Sequence, residues 1–405
     1  MQSCLALIPD DIERVYLAYS GGLDSSVLLH LLVNHRPAFN LVPWHINHGL
    51  LAAAGKMQDF CVTQAARYDL KLRLDHLELD DVDSNIEAEA RRQRYALFES
   101  CIAYNECLLT AHHADDQAET FLLNALRGSG SAGLRGIARR RQLGQGLLLR
   151  PLLEYSRAQL EDYANQHELA WCNDPSNRVN RFDRNYLRNQ VIPSISARWP
   201  HYQVALATTS RLQAETQTLL DEIAQQDFSA LAQPGDSSDP ILDLDGLLAL
   251  SVARRKNLLR FWVARAGLAS IPGARLDELV RQLLAKPDAM PSISLPGYSI
   301  RLYDRRLFLV RDDELRSCSG VFAFDQNPVI EIEPCNIRIS RSQLFEQLQI
   351  ADDRQSLSIR FRTGEDTAGD RHRLKRLFQK KRIPPWRRDS TPLVYLDDEL
   401  RGLLR

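Results

Sequence analysis

The stretch Ser20-Gly21-Gly22-Leu23-Asp24-Ser25 constrains this chain more than any other. It follows an apolar run, Val15-Tyr16-Leu17-Ala18-Tyr19, that predicts a buried strand. It precedes residues 27–32, whose apolar character predicts a helix. A strand that turns through two glycines into a helix makes an anion site. Glycine lets the backbone come close to an oxyanion, and the free N–H groups of the first helical turn point at it. Hydroxyls of Ser20, Ser25 and Ser26 add donors. No lysine follows the glycines, so the loop is not a Walker A sequence, and it lacks the three-glycine dinucleotide spacing.

Beyond the loop the chain predicts an α/β architecture. Strand patterns at 41–45, 72–76, 107–110 and 147–149 alternate with helix patterns at 56–68, 86–103, 115–126 and 156–167. Ser84-Asn85-Ile86-Glu87 has the form of a capping box. Such alternation implies a parallel, doubly wound, Rossmann-like sheet with helices on both faces and ligands at the carboxyl ends of its strands. The glycine loop, the His45–His48 stretch and His112-His113 all fall at such ends.

Charge divides the rest of the chain. With 405 residues, 44% apolar and 25% charged, there is room for two or three domains, and the net charge of −1 points to no polyanion partner. The local balance says more. Residues 212–250 hold eight acids and no Lys or Arg, whereas 354–388 hold twelve Lys/Arg against three acids. Residues 127–157 hold seven arginines and one acid. Two basic blocks on a neutral chain favour a nucleic-acid or phosphate surface. The expected organisation is a catalytic domain at 1–210, a helical or α+β domain at 211–315, a connecting segment at 316–355 and a basic α+β domain at 356–405. The seven cysteines are scattered, without a C-x-x-C pair, which argues against a zinc ribbon or a disulfide framework. No run approaches a membrane span and no signal peptide opens the chain, so a cytoplasmic protein is expected.

A second motif, Thr110-Ala111-His112-His113-Ala114-Asp115-Asp116-Gln117-Ala118-Glu119-Thr120, places two histidines and three carboxylates at a strand end and helix start. One aspartate can cap the helix; Asp116 and Glu119, at i and i+3, share a face. That pair can hold a metal or grip an ammonium group. Arg127-Gly128-Ser129-Gly130 closes the helix, and Arg181, Arg184 and Arg188 form a stripe at helical spacing, read either as a solvated face or as a phosphate or RNA contact.

Taken together these motifs resemble the tRNA(Ile)-lysidine synthetase family of PP-loop ATP pyrophosphatases. The matching stretches are the loop at 20–25, His48-Gly49-Leu50, Ala90-Arg91 with Arg94-Tyr95, 112–120, 127–130, Arg150-Pro151-Leu152-Leu153, the block at 174–188, 374–378 and Ile383-Pro384-Pro385-Trp386. The resemblance implies ATP-dependent adenylation of the wobble cytidine of the CAU-anticodon isoleucine tRNA, then attack by free L-lysine to give lysidine, AMP and pyrophosphate. It implies that Ser20, Gly21, Gly22, Leu23, Asp24, Ser25 and His48 bind ATP, with Asp24 orienting the loop or a Mg²⁺ ion whose further ligands are left open. Asp24, His112 and His113 are the implied catalytic groups; Asp116 and Glu119 would orient lysine. Arg94, Arg127, Arg181, Arg184 and Arg188, and on the tail Lys375, Arg376, Lys380 and Lys381, would meet tRNA or phosphate. Trp386 can pack or stack on a base. The family's tail usually runs on beyond the equivalent of Leu400, so the last strands are expected to be incomplete. The oligomeric state stays open, a homodimer included. A tRNA thiolase would need paired cysteines, an amidating enzyme a glutaminase domain, and a non-catalytic RNA-binding protein would not need the loop and the acidic motif intact together.

Overall fold

The structure is a computed structural model; it describes residues 1–35, 39–47, 54–77, 86–173, 183–235, 239–284, 291–315, 318–324, 329–332, 337–348, 356–362 and 368–404. The chain divides into two compact units, Met1–Leu219 and Leu220–Arg405.

The first unit runs β1 (Arg14–Ala18), α1 (Leu23–Asn34), β2 (Asn40–Asn47), α2 (Ala54–Arg67), β3 (Arg73–His76), α3 (Ile86–Cys101), β4 (Glu106–Leu109), α4 (Ala114–Leu126) and α5 (Ser131–Leu134). It continues through β5 (Arg140–Leu143), β6 (Gly146–Leu149), α6 (Arg157–Gln166), α7 (Asp183–Tyr186), a π-helical turn at Leu187–Val191 and α8 (Ile192–Arg198). A long helix, α9 (Tyr202–Leu231), begins in this unit and ends in the next. The strands lie in the order β3-β2-β1-β4-β6-β5, all parallel except β5.

Side-chain alternation along β1 explains why both faces are covered. Val15, Leu17 and Tyr19 join α1 residues such as Val27, Leu28 and Leu31 in one core. Tyr16 faces the other way, into Trp44 and the α3 residue Phe98. A strand buried on both sides needs apolar residues at consecutive positions, as this one has. The chain order reverses between β1 and β4, which opens a crevice at their carboxyl ends.

Strand β5 departs from the expected pattern. Arg140, Arg141 and Gln142 carry no apolar alternation, yet they pair antiparallel with β6 across a tight turn at Gly144. That glycine sits at φ +57, and a Cβ there would lie 2.3 Å from the Glu99 carbonyl oxygen. Charged residues on an edge strand also discourage pairing with another chain.

In the second unit the stretch from 242 to 285, inside the domain expected to be helical or α+β, begins with a strand. The order is β7 (Ala232–Gln233), β8 (Ile241–Asp243), α10 (Leu244–Ala249), α11 (Val252–Arg265), α12 (Gly273–Leu283), β9 (Ser292–Leu295), β10 (Tyr298–Tyr303) and β11 (Arg306–Arg311). These helices and a five-stranded sheet share a core around Trp262, Leu276 and Ile300. Then come β12 (Val321–Ala323), β13 (Val329–Ile332), β14 (Ile337–Ser340), α13 (Arg341–Leu348), β15 (Leu357–Arg360), α14 (Ala368–Lys380), β16 (Leu393–Leu396) and β17 (Glu399–Leu403). Strand β12, from the stretch expected to connect domains, pairs with β15 of the tail sheet. Cys318 is disulfide-bonded, against the expectation for the cysteines; Cys4, Cys61, Cys101, Cys107 and Cys172 are free, and three of these are buried as small core residues.

Trp386 packs. Its ring meets Phe308 at 5.5 Å and Tyr303 at 6.2 Å, both near edge-to-face, with the Arg301 guanidinium 5.4 Å from its centroid. Arg387 pairs with Glu314, and the Arg388 guanidinium reaches the Tyr303 hydroxyl at 3.5 Å. The tail is therefore anchored on the β10–β11 hairpin through one aromatic plug. Trp386→Ala is expected to cost about 3 kcal/mol. It should also make the tail the first part released by limited proteolysis. An unchanged urea midpoint and cleavage pattern would contradict the anchor.

Candidate active site

The crevice between β1 and β4 is lined first by the glycine loop. Gly21 has φ +78, and a Cβ there would stand 2.9 Å from Cys61 Sγ, so a side chain is excluded by both conformation and space. The Gly22 N–H reaches Ser20 Oγ at 3.3 Å, and Ser25 Oγ donates to the Gly22 carbonyl at 3.0 Å. From behind, the Cys172 N–H donates to the Gly21 carbonyl at 2.9 Å, and His45 bonds the Tyr19 carbonyl at 2.9 Å. The loop is thus fixed on its inner side and free on its outer one, where α1 begins. Leu23 is buried under it. Asp24, in the first turn of α1, keeps one carboxylate oxygen, Oδ1, buried without a partner.

Across the crevice α4 brings its motif to bear. His113 occupies the N-cap, and its backbone N–H donates to Asp116 Oδ2 at 3.0 Å. Its imidazole, 1% exposed, stands 3.5 Å from Asp116, 3.6 Å from Asp115 and 3.7 Å from Asp24. Burial alone would lower its pKa; hydrogen bonding to Asp115 and the charges of Asp116, Asp24 and Asp115 overcome burial and raise it. The two histidines therefore differ. His112, held by Thr110 at 2.9 Å, is pushed down to about 3, by burial first and then by Arg150, Arg184 and Arg91, against the pull of Asp116. Its low pKa favours the neutral imidazole.

Asp116 and Glu119 do share a face of α4, and two arginines meet them there. Arg184 bonds Asp116 and Glu119 at 2.7 Å each; Arg188 bonds Glu119 at 2.6 and 3.0 Å and Asp116 at 3.3 Å. Arg184 lies on α7 and Arg188 on the π-helical turn, a local widening common at functional sites. The stripe read from spacing thus has its partners inside the site. Burial works to raise Asp116, but His113 first and then Arg184 hold its pKa below the usual carboxylate range.

Other expected residues fall elsewhere. Arg127 pairs with Asp183 at 2.9 Å on an exposed surface. Arg94 is half-buried beside His45. Lys375, Arg376, Lys380 and Lys381 are all exposed at α14, whose Leu374 and Phe378 face inward. His48, Arg181 and the Ser84-Asn85 half of the capping box lie outside the described residues. Arg157 was not foreseen: its backbone N–H donates to Asp115 at 2.8 Å and its guanidinium stands 3.7 Å from Asp24. Nor were Tyr202 and Gln203, which bond Asp115 at 2.8 and 3.1 Å. The Ser156 N-cap marked the helix start, but nothing local marked what Arg157 would face.

With this geometry in place, comparison with known proteins is direct. Residues 2–195 match a model described as a PP-loop domain, 242–308 a TilS substrate binding domain and 357–401 a TilS substrate C-terminal domain. A tRNA(Ile)-lysidine synthase of Serratia proteamaculans is 41% identical over 97% of this chain and 91% of its own length. Those of Pectobacterium atrosepticum and Edwardsiella ictaluri are 38% and 37% identical, over 95% and 97% of this chain and 88% and 90% of their own. The chain belongs to the tRNA(Ile)-lysidine synthase family. It is accordingly a PP-loop ATP-using ligase. Among the described residues no cluster of three metal-ligating side chains exists, and no helix is long and apolar enough to cross a membrane.

The raised pKa of His113 ties the site to pH. A histidine raised in the folded state adds stability that is complete below its unfolded value, about 6.5. That stability is lost as pH rises through the folded value. The difference in unfolding free energy between the native chain and His113→Gln should therefore be largest near pH 6 and shrink toward about pH 9. Urea unfolding across that range measures it; a difference that grew with pH would mean that His113 is held neutral.

Proposed function

We propose that this chain ligates free L-lysine to C2 of the wobble cytidine in the CAU-anticodon isoleucine tRNA, using ATP. The cytidine C2 carbonyl oxygen attacks the α-phosphorus and pyrophosphate leaves. A lysine amine then attacks C2 and gives up a proton, and the C2–O bond breaks to release AMP. The first step makes a poor leaving group into a good one.

The observation that carries this reading is the adjacency of two unlike subsites. An anion cradle with free helix N–H groups lies on one side of His113, and a buried carboxylate pair lies on the other. The cradle suits pyrophosphate and the pair suits a substrate ammonium. Asp24 Oδ1, buried and unpartnered, suits Mg²⁺, a hard cation that takes one or two carboxylates alongside phosphate oxygens. Bound there, Mg²⁺ would neutralise phosphate charge. His113, charged and held among three aspartates, can steady a developing negative charge on phosphate. Arg184 and Arg188 fill the carboxylate pair in the present structure, so lysine would enter by taking over bonds that a guanidinium now makes.

ATP-dependent incorporation of labelled lysine into bacterial tRNA, with AMP measured alongside, tests the assignment. Incorporation into one isoleucine tRNA is the expected result; AMP release without incorporation would assign another nucleophile. Asp116→Asn, nearly isosteric, should raise the KM for lysine about tenfold or more, worth about 1.4 kcal/mol. It should leave tRNA-dependent pyrophosphate release within about threefold. An unchanged lysine KM would remove Asp116 from the lysine site.

A further inference from the structure

Several arginines of the first unit have an acid beside them: Arg14 with Glu106, Arg73 with Asp75, Arg139 with Glu154, Arg157 with Asp24. Arg91, Arg141 and Arg150 gather around a tyrosine instead. Arg91 and Arg141 lie against the ring of Tyr95, their guanidinium carbons 5.3 and 5.1 Å from its centroid. Tyr95 also stands near enough to Arg150 to work against the lowering of its pKa. Arg150 is 5% exposed; one of its terminal nitrogens donates to the Ala138 carbonyl at 2.5 Å, and its Nε has no partner. Among the described residues no carboxylate pairs with any of the three.

A buried guanidinium with no counter-ion is costly unless a ligand supplies the charge. Burial lowers the Arg150 pKa, and Arg141 and Arg91 lower it further. The three residues come from separate elements, α3, β5 and the end of β6, so their convergence is a property of the fold rather than of one charged helix face. Arg91 and Arg141 are exposed, which leaves the cluster open to solvent on one side.

Its position narrows the ligand. Arg150 follows β6, and the N–H of Thr110, at the matching point after β4, donates to the Leu149 carbonyl at 3.1 Å. The cluster thus stands about one strand spacing, 5 Å, from the His112 end of the crevice. It is about two spacings from the glycine loop at β1, apart from that loop's own N–H groups. We infer that Arg91, Arg141, Arg150 and Tyr95 form a phosphate site for the RNA strand, holding a phosphodiester next to the nucleotide that reacts in the crevice. This rests on the reading that the substrate is RNA. Arg150 supplies a fixed, buried donor; Arg91 and Arg141 supply charge at the rim, their planes held by the Tyr95 ring. Such contacts set the register of the strand without reading its bases.

The test reads binding alone, so it is independent of whether lysine is joined. The dissociation constant of the full chain for an isoleucine tRNA transcript is measured against salt concentration. Arg141→Gln, at an exposed edge position, should weaken binding about tenfold and reduce the salt slope by about 0.7 to 1, one phosphate contact. Arg141→Lys should restore most of the slope. Arg91→Gln should repeat the effect of Arg141→Gln, and the KM for ATP in pyrophosphate release should not move. An unchanged slope and affinity in both Gln variants would overturn the site. So would a raised ATP KM with unchanged RNA affinity, which would give the cluster to the nucleotide. A failure of wild-type lysine incorporation would strike the functional reading above and not this one.

Discussion

One buried charge network holds the site in register. Asp24, Asp115, Asp116 and Glu119 contribute four negative charges; Arg157, Arg184 and Arg188 contribute three positive ones within the same contacts. Among them stands the His113 imidazole, whose pKa the surrounding carboxylates raise against burial. A buried network of this kind is worth little as a source of stability, but it is costly to leave half-made, about 3–5 kcal/mol for one missing partner. It therefore acts as a fastener. Through it the loop after β1, the start of α4, the start of α6 and the α7–π-turn segment are each fixed to the same few atoms.

The hydrogen bonds around Asp115 show how far that fastening reaches. Its carboxylate takes the Arg157 N–H at the start of α6, and the side chains of Tyr202 and Gln203 at the start of α9. A helix start presents unsatisfied N–H groups, and Asp115 takes one of them from Arg157. Burial works to raise Asp115, but His113 first, then the Arg157 N–H and the side chains of Tyr202 and Gln203, hold it below the usual carboxylate range. The expectation that one aspartate of the motif caps a helix is met in altered form. Asp116 takes the N–H of His113 at the start of its own helix, and Asp115 takes the Arg157 N–H at the start of α6 and two side chains of α9.

The legible parts of this protein were those that depend on local pattern. β1, β2 and β4 carry consecutive apolar residues, and α4 and α6 carry their own start signals, so their bounds could be read to within a few residues. Residues 20–25 and 112–120 announced the site because glycine, histidine and paired acids are informative at strand ends. Strand β5 was not legible, since Arg140, Arg141 and Gln142 look like a solvated loop and form a strand only because β6 offers an open edge. Strand β16 was hidden for a similar reason, since it pairs with β15, far back in the chain; β17 then pairs with β16 as a local hairpin. The partners of Asp116 and Glu119 were in view as a stripe of arginines, but spacing alone cannot say what a stripe faces. That Arg184 and Arg188 turn inward is settled by tertiary packing.

That inward turn bears on how a cationic substrate could enter a site whose acids are already paired. Adding a lysine ammonium to a balanced network would bury an uncompensated positive charge. Exchanging it for a guanidinium keeps the balance, and the free energy of entry is then a difference between two similar sets of charge-assisted hydrogen bonds. The arginine that yields its bonds moves toward solvent, where it is already about a quarter exposed: the side chains of Arg184 and Arg188 are 29% and 28% accessible, against 1% for Glu119. The helical geometry makes the exchange local. Both arginines sit on the short α7–π-turn segment, whereas both acids sit on α4, anchored at its start by His113. The acids therefore form the fixed half of the network and the arginines the replaceable half. On the proposed role of Asp116 and Glu119, selectivity for lysine over a neutral amino acid would follow from the same pairing, because a neutral side chain that displaced a guanidinium would leave two buried carboxylates one cation short.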